Sequence, residues 1–252
     1  MVEKVLKALH FLFHCAPARR DFASATATSK FPLPFCGHRW LENLPAVERA
    51  FEVWPAIVKY VDLVKSKKVK NPGTSSFDSI CEAQMDPLLL AKFHFFMSVS
   101  RAFQPFLAKY QTDVPMMPFL WEDLENLIRN LLKRFIKRDA LPLTPYKLVR
   151  LDITDQKLWL SPKEVDIGMG ATAVIKELSG AKGRVSDHGL LQFRKDCQIV
   201  LSNICKKALD KCPLKYSIVH NMMCLDPKKM HSKPDDCLQK IKALIQKFVQ
   251  DK

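Results

Sequence analysis

The chain is predicted to be mainly α-helical, a multi-helix assembly of 252 residues. Three observations lead there. Apolar residues recur at alternating steps of three and four through most of the length, the spacing of one helix face. Pro45, Pro87, Pro118 and Pro234 stand where such stretches begin, and a first helical turn accepts proline. Alternation with a period of two is confined to short pieces, so at most a few short strands are expected, near 146–167.

The stretch Phe35–Val64 organises the rest. Trp40, Leu44, Val47, Phe51, Trp54, Val58 and Val61 fall on one stripe, and two of the four tryptophans lie in it. Large aromatics bury the most area per residue, which makes this helix central. Pro55 removes a backbone donor and predicts a kink or a break.

Before it, Val5, Leu6, Leu9, Leu12 and Phe13 share a face and predict a helix over 2–15. Lys7, His10 and His14 interrupt the apolar run, so Met1–Arg20 is an amphipathic core helix and its flank rather than a secretion signal. Ala16–Pro34 lacks periodicity and is expected to be a surface loop carrying Arg19 and Arg20. Lys65, Lys67, Lys68 and Lys70 precede an Asn-Pro-Gly turn in an exposed basic loop.

Asp86-Pro87 then opens a long helix, with Pro105 predicting a kink. Pro118 opens the next, with its buried face running from Leu124 to Ile136. Lys133, Arg134, Lys137 and Arg138 close it, and bases at a helix end suit the dipole as well as a phosphate. Residues 140–183 carry the weakest signal. Tyr146–Leu151 fits a short helix or a strand, and Lys157–Leu160 is an extended candidate. Ser161 and Glu164 have capping-box spacing. Gly168 and Gly170 interrupt the segment after it. Helices are expected again from Asp187 to before Pro213, over Leu214–Met223, and from Pro234 to the end.

Lysine and arginine total 40 against 26 acids, a formal charge of +14. That surplus favours a polyanion partner, and it speaks to partners rather than to fold. Eight scattered cysteines with no CxxC pair suggest reduced, buried thiols. No apolar run is long enough to span a bilayer, so no membrane partner is expected.

No catalytic, metal or cofactor residues are assigned. His10, His14, Cys15, Cys36 and His38 suggest zinc only loosely, because the HxxxH lacks a glutamate and CxH is an unusual ligand spacing. Gly168–Ala173 lacks the third glycine and preceding strand of a dinucleotide loop. The acids are too scattered for a two-metal nuclease.

Cys36-Gly37-His38-Arg39-Trp40, with Leu41-Glu42-Asn43 and Val47-Glu48-Arg49-Ala50 after it, resembles the Arg-Trp motif of hAT-superfamily transposases. More closely, it is similar to the domesticated, zinc finger 862-like group. Leu9–His14, Pro17–Arg20, Lys109–Asp113 and Pro213–Tyr216 are similar to the same group. The resemblance implies that 1–30 end the first half of a ribonuclease-H-like core and that 31–252 form a helical insertion domain. The family's catalytic carboxylates would then lie outside this chain, leaving a non-catalytic protein, expected in the nucleus, with the cytoplasm as the alternative. Nonspecific nucleic-acid contact is expected from Arg19, Arg20, Arg39, Trp40, Lys65, Lys67, Lys68, Lys133, Arg134, Lys137 and Arg138. The alternative is an interaction or scaffold module that forms homo- or hetero-oligomers through exposed helix faces.

Overall fold

The computed structural model describes residues 1–37, 40–180 and 185–249. Among these are twelve α-helices. In order they are α1 (Val2–His14), α2 (Ala16–Thr26), α3 (Leu44–Lys65), α4 (Ser75–Gln84), α5 (Leu89–Tyr110) and α6 (Met117–Leu132). Then come α7 (Pro145–Val149), α8 (Met169–Gly180), α9 (Asp187–Lys211), α10 (Ser217–Asn221), α11 (Pro227–Ser232) and α12 (Pro234–Val249). The mainly helical expectation holds. Extended pairing among the described residues is one antiparallel bridge, Ile136 with Trp159. The 146–151 segment takes its helical alternative.

The chain divides into two compact units, Met1–Arg101 with Ile167–Phe193, and Ala102–Asp166 with Arg194–Lys252. In the first, α1 packs on α2, α3 and α4. Leu44, Val47, Trp54 and Val61 of the organising stripe are buried, so it faces the interior, together with Ile57 and Tyr60 of α3. Phe51 and Val58 are half-buried at its margin, because the buried face also takes in Ala50, Val53 and Ile57. Phe22 and Phe77 flank Tyr60 at ring distances of 5.7 and 6.2 Å, and Trp54 meets Phe93 edge-on at 6.0 Å. Such tilted aromatic pairs match ring quadrupoles as well as burying area.

Three expectations change. Residues 16–26 are a helix, not a loop. Pro17 sits in its first turn, and Ala18 and Phe22, four apart, are its buried contacts. Thr26 closes it by donating its hydroxyl to the Phe22 carbonyl, and Ala27 turns left-handed at φ 52°. Pro55 and Pro105 both lie inside continuous helices. Both are exposed, so solvent can serve the carbonyl that each leaves without a donor. Gly168 (φ 86°) precedes α8, whereas Gly170 lies within it.

A Cβ on Gly170 would stand 2.4 Å from the His94 ring, which also meets Phe51 edge-on at 4.6 Å. Burial, helped by Arg101, lowers the His94 pKa. Acidification should therefore destabilise this unit. Above about pH 6.5 the ring is neutral in both folded and unfolded chains. As pH falls through that value the unfolded chain takes the proton first. The contribution is full above it and drains as pH drops toward the lowered folded pKa. The melting temperature should fall between pH 7 and 5, and His94→Gln should flatten part of that slope. An equal slope in the variant would remove His94 as the cause.

In the second unit α6 packs against α10 and the Met222–Leu225 turn. It stops at Leu132, short of the predicted end, and Phe135 and Ile136 reach the core from the segment beyond it. That segment is tied to 158–160: Lys137 donates its amide to Leu158 and Leu160 donates to Phe135, at 2.9 and 2.8 Å. Ser161 and Glu164 make half a capping box, the Ser161 amide donating to the Glu164 carboxylate, but close a turn rather than start a helix. Buried Gln198 and Ser202 of α9 donate to the carbonyls of Leu160 and Ile153, fixing the irregular stretch from the side. Leu214–Met223 breaks into a 3-10 turn, α10 and part of a second turn, and Asp226 caps α11 where only a turn was expected. Cys224, Cys237 and Leu244 form a small buried cluster under α12.

Candidate nucleic-acid interface

The candidate cations divide between the units. Arg19, Arg20, Lys65, Lys67 and Lys68 belong to the first, and Lys133, Arg134, Lys137 and Arg138 to the second. Arg39 lies outside the described residues, as does His38. Trp40 opens a 3-10 turn, Trp40–Asn43, and its side chain is likewise outside the description.

The lysine loop has a specific backbone cause. At the end of α3 the amides of Lys67 and Lys68 donate to Val64 and Leu63. Lys67 takes φ 59°, the left-handed position where a helix end usually places glycine. Half-buried Val69 packs on the core and anchors the exit. Asn71 accepts the Gly73 amide at 2.8 Å and turns the chain toward α4. Lys65, Lys67, Lys68 and Lys70 are left exposed within six residues. Lys65 donates to Gln84 at 2.7 Å. Lys67, Lys68 and Lys70 have no side-chain partner among the described residues.

The other cluster does not behave as one. Lys133, Lys137 and Arg138 are exposed, and Lys137 donates its ammonium to the Lys157 carbonyl at 2.8 Å. Arg134 is 7% exposed. Its Nε donates to the Asp166 carbonyl at 3.1 Å and lies 3.6 Å from the Asp166 carboxylate, while the Asp166 amide donates back to the Arg134 carbonyl. Burial lowers the Arg134 pKa, opposed by Asp166, and burial pushes the nearby Cys205 thiol up to about 12. Arg134 is thus directed inward, as a clamp between residues 134 and 166. Arg134→Met should cost about 1–3 kcal/mol through loss of the charge-assisted hydrogen bond to residue 166, measured by urea denaturation. It should leave polyanion affinity unchanged, unlike Lys133→Gln. Unchanged stability would remove the clamp.

Arg19 and Arg20 lie exposed on α2. The Arg19 guanidinium stands 4.2 Å over the Phe31 ring. Beside it opens a pocket of about 330 Å3, which His10, His14, Arg19 and Arg49 line together with Ser29 and Phe31–Pro34 of an irregular strap. Periodicity could not find this site, since its parts come from α1, α2, α3 and an irregular segment. Asn43, 1% exposed, was also missed. Its side-chain amide accepts from and donates to the backbone of Cys36, both at 2.7 Å, pinning the strap's far end.

None of the eight cysteines is in a disulfide; Cys197, Cys205, Cys212, Cys224 and Cys237 are buried, Cys36 and Cys81 half-buried and Cys15 exposed. Among the described residues no group of three His, Cys, Asp or Glu side chains is placed to hold a metal ion, and no helix is long and apolar enough to cross a membrane. No family model, curated protein or solved structure matches the chain.

Proposed function

We propose that this chain is a transposase-derived, non-catalytic helical protein of the hAT-like kind that binds nucleic acid through its backbone, without sequence preference. The reading is carried by the lysine loop after α3, three of whose four cations have no side-chain partner among the described residues. The +14 charge supports it. Contacts of this sort act on phosphates and carry little base information. The family assignment, with its ribonuclease-H-like remnant over 1–30, insertion domain over 31–252 and nuclear location, rests on the Arg39-Trp40 stretch and its companion segments. Binding to duplex and hairpin DNA, titrated at several salt concentrations, tests the function. Tight binding at low salt that weakens linearly on a log–log scale is expected. No retention at low salt overturns it.

A second reading, a protein-interaction module, is favoured by one face of α12. Leu238, Ile245 and Phe248 are 51%, 55% and 56% exposed at seven- and three-residue steps. The apolar face of α1, by contrast, is buried and offers nothing to a partner. Light scattering separates the readings: a salt-insensitive dimer favours the second and a monomer counts against it.

A further inference from the structure

We infer that the pocket beside Arg19 binds the phosphate monoester of a single nucleotide, with its base against the apolar strap; as a strand-end site this rests on the nucleic-acid reading above. Four side chains able to donate to phosphate, His10, His14, Arg19 and Arg49, line one cavity that no carboxylate lines. Imidazoles donate in either protonation state, and guanidinium forks match phosphate oxygens. The four come from α1, α2 and α3, so they are held by three packed helices rather than by a loose surface run.

The site is also built. Glu52 takes Arg49 Nε at 3.1 Å, and Arg49 Nη1 donates to the Phe31 carbonyl at 3.3 Å. Arg49 is therefore oriented, while Arg19 has no acidic partner among the described residues. Phe31 packs against fully buried Phe22 at 5.9 Å. A wall fixed in advance lowers the ordering cost of binding. About 330 Å3 sits at the low end of small-molecule sites. It has room for one nucleotide, whether free or at the end of a strand. The shared chemistry is the monoester, with more charge than the diester linkages within a strand.

The full chain is titrated by fluorescence anisotropy with one labelled single strand, bearing either a terminal 5′-phosphate or a 5′-hydroxyl. Adenosine monophosphate is titrated separately by calorimetry. The phosphorylated strand should bind at least ~10-fold tighter, as two charge-assisted hydrogen bonds imply. Arg19→Gln with His14→Gln, both exposed positions, should erase that preference without changing the circular dichroism. Equal binding of both strands, or a preference that survives the substitutions, overturns the pocket and leaves the backbone-binding reading standing. Monophosphate binding that the double variant loses, with neither strand retained, upholds the pocket and overturns the nucleic-acid reading. Silence with all three probes overturns both.

Discussion

Trp54→Ala should cost the first unit about 3–5 kcal/mol, the range for removing a large aromatic from a packed core. Trp54 is 7% exposed on the central helix and stands at 90° to Phe93 of α5. Val53, Ile57 and Val61, all buried on the same helix, are held by packing of their own and cannot collapse into the space. Hydrogen exchange reads the loss locally: protection of the Phe22, Tyr60 and Ile80 amides should fall together, because one contiguous core holds those residues. Lys59→Ala, on the exposed side of α3, should change stability by less than about 0.5 kcal/mol. A Trp54→Ala penalty as small as that would mean the seam is not the interior surface around which α1, α4 and α5 are packed.

That seam was legible because burial and helical period reinforce each other over six turns. Where they did not, the sequence was silent. Helix α2 has two buried contacts, Ala18 and Phe22, among Ala, Ser and Thr residues that also suit loops, so a spacing of four was its only signal. Proline at 55 and 105 marks a missing donor, but whether the helix breaks depends on which side the orphaned carbonyl faces. The end of α6 was misplaced because Phe135 and Ile136 continue its apolar pattern after the backbone has left the helix. Candidate cations were legible as charges and not as roles. Lys133 and Arg134 are neighbours in sequence, yet one meets solvent and the other clamps a carbonyl 32 residues away. The Arg19 pocket has no local signature at all, because His14, Arg19 and Arg49 meet only after three helices have packed.

Removing the lysine loop's charge should show whether it binds phosphate or only complements the carbonyl end of α3. Lys65→Gln, Lys67→Gly, Lys68→Gln and Lys70→Gln together should lower the log–log salt slope of DNA binding by about 3–4, near one for each phosphate no longer neutralised. Glycine is the informative choice at 67. Its φ of 59° is one that a side chain resists, so Lys67→Gly relieves strain while deleting charge. Gln at 65 keeps a donor for Gln84. The variant should thus fold at least as well by urea denaturation, and weaker affinity cannot then be laid to disrupted structure. If the lysines serve only the carbonyl end of α3, the opposite pattern is expected: stability drops by about 0.3–1 kcal/mol for the missing helix-end charge, and the salt slope stays where it was. The two outcomes differ in sign on one axis and in size on the other, so a single purified variant decides between them.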